Sequence, residues 1–308
     1  MDDPGAGSSP TPIAVIINAR SGSGHDETWV RQVEDSFHVQ GMDVQVVMAR
    51  DAAAIQQAAQ RAANGSSPGM VIAGGGDGTI NCVAAQLVGK NIRLGVLPLG
   101  TLNHFAKDLG IPLELDAAVR TIAAAHTTQV DVGEVNGRIF LNNSSLGMYP
   151  LMVQDRDREQ RSGLGKWPAL IKASWKILSV HRSEKMHLVV DGRVIERRTP
   201  LVFIGNNAYV LSGFAIGARN KLDGGLLSLY IVPRERRWSL IWLAIRALFG
   251  HLHQDSDFQA MTAEDIVIDA RRNRMRVATD GEVEQLAIPL HYRIRKRALC
   301  VIVPANRP

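Results

Sequence analysis

The segment Gly75-Gly76-Asp77-Gly78-Thr79, with Asn81 two places on, is the part of this chain best suited to chemistry. The apolar run Val71-Ile72-Ala73 leads into it, and Ile80, Val83, Ala84, Leu87 and Val88 follow at helical spacing. Glycines let backbone N–H groups approach a ligand closely, and the N-terminus of a helix favours negative charge, so the segment suits a phosphate-bearing molecule. Asp77 does not fit a simple anion cradle. Its carboxylate points instead to a hydroxyl, a metal ion or a proton as its partner. The plainer alternative is a tight strand-to-helix turn that needs glycine for its backbone angles.

Two further strand exits carry similar chemistry. Leu94-Gly95-Val96-Leu97-Pro98 reads as a buried strand that empties into Leu99-Gly100-Thr101-Leu102-Asn103-His104, again glycine, hydroxyl and amide. Ile13–Asn18 is a third apolar strand, and Ala19-Arg20-Ser21-Gly22-Ser23-Gly24 follows it. There Arg20 offers charge to phosphates, and the Ser/Gly run offers hydroxyl and backbone donors. In open α/β sheets ligands bind beyond the carboxyl ends of strands, so three such exits can face one ligand. Late in the chain, Thr279-Asp280-Gly281-Glu282 places two acids around a turn glycine, which taken alone reads as an exposed β-turn. The nine histidines show no metal-ligand spacing.

These residues need elements to hold them. From residue 13 to 125 strands and helices alternate: strand 13–18, helix 27–39, strand 43–48, helix 51–63, strand 70–73, helix 80–88, strand 93–97 and helix 116–125. This alternation predicts an α/β domain with a parallel sheet between two helical layers. After Gln129 the pattern becomes β-rich. Asn136-Gly137 and Asp191-Gly192 each separate two short apolar runs, the strongest short-range hairpin signal. Further strands are expected at 200–205, 226–232, 265–269, 274–279, 290–294 and 298–303, giving an antiparallel β-sandwich. Two helices, 168–178 and 238–251, interrupt it. The second has Trp238, Ile241, Trp242, Ile245, Leu248 and Phe249 on one face behind Arg234, Arg236 and Arg237. Packing on the sandwich accounts for both, while a basic, Trp-bearing face also suits a membrane interface. The domain boundaries expected are a flexible tail at 1–12, a nucleotide-binding α/β domain at 13–128 completed by 290–308, and a sandwich at 129–289.

The order Asn18…Ser21-Gly22, then Gly-Gly-Asp-Gly-Thr at 75–79, then Pro98-Leu99-Gly100-Thr101-Leu102-Asn103-His104-Phe105-Ala106 resembles the diacylglycerol kinase catalytic-domain family, which includes sphingosine/ceramide kinases and bacterial lipid kinases. The glycine loop is shared with NAD kinases; the Pro-Leu-Gly-Thr-x-Asn segment discriminates between them. The resemblance implies an NAD kinase/phosphofructokinase-like first domain, a sandwich whose final strands return to the first domain, and a site in the cleft between the two. It implies an ATP-dependent lipid kinase that uses Mg²⁺. The nucleotide would lie along Asn18, Arg20, Ser21, Gly22, Gly75, Gly76, Asp77, Gly78, Thr79, Asn81, Gly100, Thr101 and Asn103. Glu282 would correspond to the general base that takes the proton of a lipid hydroxyl, with Asp77 as its rival for substrate or metal work.

One departure stands out. Bacterial members usually carry Leu-Asp-Asp-Gly-Leu-Leu, whose second Asp helps hold an auxiliary Mg²⁺. Here Leu222-Asp223-Gly224-Gly225-Leu226-Leu227 has glycine at that position, leaving Asp223 as the metal candidate. This departure motivates a non-catalytic nucleotide-binding homologue as one alternative reading; an NAD kinase-like enzyme is the other.

Composition fits an enzyme of this size. Of 308 residues 45% are hydrophobic and 21% charged, which argues against disorder over most of the length. A net charge of +5 and several Arg clusters suit anionic lipid or nucleotide, while sparse aromatic interleaving disfavours nucleic acid. Cys82 and Cys300 fall in apolar segments and read as reduced core thiols of a cytoplasmic protein. No run reaches the roughly 18–20 apolar residues of a membrane span, so contact with the lipid substrate is expected to be peripheral. A homodimer is compatible with the sequence but nothing in it selects one.

Overall fold

The structure, a computed structural model, describes residues 12–21, 26–65, 69–147, 184–209, 219, 221–231 and 259–306. The tail to residue 11, Gly22, the expected helices at 168–178 and 238–251, and Arg234, Arg236 and Arg237 lie outside the described residues. By its internal contacts the chain divides into two compact units, Met1–Thr128 with Leu299–Pro308, and Gln129–Ala298.

The first unit is a parallel sheet. Its strands are β1 (Ile13–Asn18), β2 (Val44–Ala49), β3 (Met70–Gly75) and β4 (Arg93–Pro98), in the order β2-β1-β3-β4. Every neighbour is parallel, as βαβ connections require. The helices are α1 (Glu27–Val39), α2 (Ala52–Ala63), α3 (Asp77–Leu87), the short α4 (His104–Asp108) and α5 (Leu115–Ala124). Asp26 and Asp51 start α1 and α2 by accepting the N–H of Trp29 at 2.9 Å and of Ala54 at 2.8 Å. Each such cap is worth about 1 kcal/mol. Side chains alternate along β1, so Val15 and Ile17 enter one layer with Val33 and Phe37 of α1 and Val119 and Ile122 of α5. Ile16 faces the other layer.

α3 begins three residues earlier than its apolar stripe predicts. Gly76 is its N-cap and Asp77 occupies its first turn, where a negative charge meets the positive end of the helix. The glycine loop is therefore shorter than the sequence suggests, and Asp77, Gly78 and Thr79 already belong to the helix.

The second unit is antiparallel. One sheet has six strands, ordered β12 (Gln259–Ala263), β11 (Leu227–Ile231), β10 (Leu201–Asn206), β7 (Asn143–Gly147), β14 (Arg274–Thr279) and β15 (Glu282–Ala287). The opposing layer runs from β9 (Arg193–Thr199) through β8 (Glu184–Val190) and β13 (Asp265–Ala270) to the start of β16 (Leu290–Ile302), which β5 (Thr127–Val135) and β6 (Arg138–Phe140) extend. Leu146, Val202, Ile204, Leu229 and Val277 of the first sheet share one core with Leu188, Ile266, Ile268 and Tyr292 of the second layer. This is the expected sandwich.

Three hairpins, β5–β6, β8–β9 and β14–β15, turn on two residues with positive φ: Asn136-Gly137, Asp191-Gly192 and Asp280-Gly281. That is the type I′ turn, whose twist matches the strands, and it explains the Asn-Gly and Asp-Gly pairs. The structure corrects several expectations. β7, β12 and β15 are additional strands; β7 and β12 are too polar for a hydrophobic pattern to reveal them. The segments 290–294 and 298–303 form one strand, bent where Arg297 takes φ 48°. Its end pairs in parallel with β4, Cys300 opposite Arg93 and Val301 opposite Leu94, so this strand does return to the first unit's sheet. Neither cysteine forms a disulfide, and both are half-buried rather than core residues.

Candidate functional site

In the first unit the three predicted strand exits meet. Asn18, at the end of β1, donates its Nδ2 to Thr79 Oγ1 at 3.2 Å, tying that exit to the first turn of α3. Its Oδ1 accepts the N–H of Arg20 at 2.9 Å, so one amide organises both sides. Arg20 is exposed and Ser21 is buried.

The exits of β3 and β4 touch through glycine. A Cβ on Gly100 would collide with the Cα of Gly76 and lie 2.8 Å from Asn103 Oδ1; one on Gly75 would lie 2.6 Å from Thr79 Oγ1. These glycines are required because two backbones and a threonine side chain occupy the space. Asn103, in the left-handed region at φ 52°, locks the second loop. Its Oδ1 accepts the N–H of Gly100 at 3.0 Å, and its Nδ2 donates to the carbonyls of Pro98 at 3.2 Å and Gly100 at 2.7 Å.

The structure gives Asp77 a partner that the sequence reading did not foresee. Its two carboxylate oxygens accept the N–H groups of His104 at 3.1 Å and Phe105 at 3.0 Å. Asp77 thus caps α4 from α3, a long-range substitute for the missing side-chain cap at Asn103. The consequence is an asymmetry. The N-terminus of α4 is covered, while α3, whose N-cap Gly76 has no side chain, keeps its first-turn N–H groups free of side-chain capping. With Thr101 and Leu102 exposed beside it, this is an anion-binding geometry that fits a polyphosphate. Asn81 lies half-buried within α3, one turn further along.

In the second unit Glu282 opens β15, paired across the hairpin with Thr279. Although its side chain is exposed, the surrounding protein strips part of its water, and Glu284 on the same strand face adds a like charge. Both effects raise its carboxyl above the ordinary glutamate value, and nearby Arg138, ion-paired to Glu284 at 3.2 Å, partly opposes them. Such a carboxylate is a better proton acceptor than a free one.

Two residues earlier, Asp280 does something that its place in a surface-turn motif did not signal. Its carboxylate accepts three consecutive backbone N–H groups, of Leu141 at 2.7 Å, Asn142 at 2.9 Å and Asn143 at 3.0 Å. Burial lifts its pKa to about 6, while these donors and the Arg219 charge limit the rise, so it is ionised at neutral pH. Buried Arg219 was also missed. It donates to the Leu141 carbonyl at 2.6 Å, the Asn206 carbonyl at 3.1 Å and Asn142 Oδ1 at 2.7 Å. Asn142, Asn206 and Tyr209 complete this network. The only local hint is the pair of adjacent amides at 142–143 and again at 206–207, polar residues set inside apolar runs.

The described residues lend no support to an auxiliary metal at Asp223. Asp223 is exposed, and among the described residues no group of three or more His, Cys, Asp or Glu side chains can hold a metal ion. A Cβ at Gly224 would lie 2.8 Å from Asn207 Oδ1, so a side chain there would have to move the Asn207 amide. The nearby buried Asp131 is committed as well, accepting the N–H of Gly225 at 2.6 Å and of Arg297 at 2.8 Å. The 221–226 loop is held by the protein itself.

Comparison with known proteins agrees with this architecture. Residues 12–135 match the diacylglycerol kinase catalytic domain, and residues 169–303 match the YegS C-terminal NAD kinase beta sandwich-like domain. Diacylglycerol kinases of Staphylococcus aureus strains JH9 and Newman are each 31% identical over 168 residues, 54% of this chain and 53% of theirs. The chain thus spans about half the length of the curated relatives it matches. Among solved structures, a diacylglycerol kinase from Bacillus anthracis str. Sterne superposes with a TM-score of 0.70 at 21% identity, covering 96% of this chain and 97% of that one. A second chain from the same organism gives 0.74 at 22% identity with the same coverage. These likenesses speak for the fold. Among the described residues no helix is long and apolar enough to cross a membrane. The first domain of this chain is thus similar to the diacylglycerol kinase catalytic domain and its second to the YegS C-terminal sandwich domain, two matches that together span most of the sequence.

Proposed function

We propose that this protein is an ATP-dependent lipid kinase that phosphorylates the hydroxyl of a diacylglycerol-like lipid. The observation that carries the reading is the meeting of Asn18, Gly76 and Gly100 at the uncapped N-terminus of α3. That arrangement offers backbone donors and helix-dipole charge to a polyphosphate tail. MgATP, when bound there, supplies the phosphoryl group. Arg20 adds an exposed cation at the rim, and Asp77 serves as a positioning residue, fixing α4 against the loop of β3.

Phosphoryl transfer asks little covalent chemistry of a protein: alignment, charge neutralisation and one proton acceptor suffice. Glu282 is the acceptor in this reading. Its raised pKa brings it toward the operating pH, which favours taking the proton as the lipid oxygen attacks. The lipid would be met at a membrane surface.

The test is incubation with γ-³²P-labelled ATP and a total lipid extract, followed by organic extraction. Label in the organic phase is expected, and mass spectrometry of that phase names the lipid. A second reading, an NAD kinase-like enzyme, is favoured by the sandwich domain's likeness to NAD kinases; label confined to the aqueous phase on a dinucleotide would support it and sink the first. Glu282→Gln is expected to lower turnover roughly 10²–10⁴-fold while MgATP binding by calorimetry stays intact. Loss of both would make Glu282 a structural residue.

A further inference from the structure

The turn that bears Glu282 is gripped by an unusual device. Asp280 accepts the N–H groups of Asn142 and Asn143, and its own N–H donates to the Asn143 carbonyl at 2.9 Å. The carbonyls of those same two peptide units point the other way. That of Leu141 accepts from Arg219 and, at 2.9 Å, from Asn206 Nδ2. That of Asn142 accepts from the Tyr209 hydroxyl at 2.9 Å and the Asn206 N–H at 2.9 Å. Two consecutive peptide dipoles therefore stand aligned between a buried guanidinium and an enclosed carboxylate. Each dipole's positive end faces the anion, and its negative end faces the cation or its hydrogen-bonding partners.

The Arg219 guanidinium is further fixed over the Tyr209 ring, 5.6 Å from its centroid, and that ring lies against Gly205, where a Cβ would meet it at 2.6 Å. A charge this buried is expensive unless every donor has a partner, and its retention calls for a purpose beyond packing. The nearest chemistry is Glu282, two residues beyond Asp280 on the far side of a rigid type I′ turn. A misplacement of about 1 Å at a reacting group can lower a rate roughly a hundredfold.

We propose that Arg219 and Asp280, acting through the peptide units 141–143, are positioning residues that set the angle of the β14–β15 turn and so aim Glu282. This rests on the reading of Glu282 as the proton acceptor. Neither residue touches substrate; each acts through the backbone it holds.

The experiment compares the full chain with Arg219→Met, Arg219→Lys, Asp280→Asn and Glu282→Gln, measuring steady-state lipid phosphorylation and amide hydrogen exchange. Arg219→Met is expected to lower kcat by roughly tenfold or more while the KM for MgATP moves less than about threefold. Arg219→Lys, keeping the charge, recovers part of the loss. The double variant Arg219→Met/Asp280→Asn is no worse than the weaker single one, because both break the same linkage. Exchange at Leu141, Asn142 and Asn143 speeds up in each variant with the rest of the sandwich unchanged. Wild-type kcat in a folded Arg219→Met, or equal damage in Arg219→Met and Arg219→Lys, overturns the proposal. Should Arg219→Met fail to fold, Arg219→Lys and Asp280→Asn decide by the same split between kcat and KM. If Glu282→Gln alone keeps full activity, it is the reading of Glu282 that falls; faster exchange at 141–143 would still register the brace.

Discussion

The two strand-exit regions hold their functional groups by opposite means. In the first unit the loops of β3 and β4 come together because side chains are missing: Gly76 and Gly100 let two backbones touch, and α3 is left with uncapped donors. In the second unit the β14–β15 turn is held because side chains are present, with Arg219, Tyr209, Asn206 and Asp280 gripping one stretch of backbone. A phosphate site needs open N–H groups, so it removes everything that would cover them. On the proposed reading a proton acceptor needs one oxygen in one place, so the turn that carries exposed Glu282 is cross-linked to its neighbours. If the proposed function holds, the contrast teaches that binding and chemistry call for different kinds of rigidity.

Gly100→Ala is the strongest way to break it. The added methyl must displace the Gly76 backbone or Asn103, so MgATP affinity is expected to fall at least tenfold by calorimetry, with about 1–3 kcal/mol of stability lost in urea titration. A variant that binds nucleotide normally would mean the contact of the two loops is incidental. Asp77→Ala should act more gently, because it uncovers only the two N–H groups that start α4. About 1 kcal/mol is the expected cost, read from denaturant midpoints, with nucleotide affinity reduced several-fold. An unchanged exchange rate at His104 and Phe105 would deny Asp77 its capping role.

The smallest effect is electrostatic and sharpens the second region. Glu282 must be ionised to accept a proton, so activity should fall as pH drops through its raised pKa, above the ordinary glutamate value of 4.5. Glu284→Gln removes the neighbouring like charge and frees Arg138, and both changes favour the ionised form. The acid limb of the kcat profile should move to lower pH; a shift to higher pH would mean that Glu284 does not act on Glu282 by charge.

The same contrast decides what the sequence reveals. The glycine site is written in two short motifs within about thirty residues, each at a strand end, and backbone approach is a property that glycine advertises locally. The parallel sheet is equally legible, because buried strands read as continuous apolar runs. The brace is not. Asp280 reaches Leu141 across 139 positions and Arg219 reaches it across 78, and no spacing rule connects an asparagine pair with a distant arginine. Polar β7 escaped for a related reason: its Ser144 is buried against the Tyr292 hydroxyl, a pairing that exists only once the sandwich has closed. Asp77 was legible as a special residue but not in its task, since the helix it caps is supplied by a different loop.

The long strand β16 imposes an order on biosynthesis. The parallel sheet that begins with the thirteenth residue acquires its last neighbour for β4 only at Cys300 and Val301, and the Val303 N–H closes onto the His126 carbonyl at 2.8 Å. A ribosome making this chain must therefore finish the whole sandwich before the glycine loops rest on a completed platform. Until then β4 waits as an open, apolar edge, the exposure that invites wrong pairing in a nascent protein.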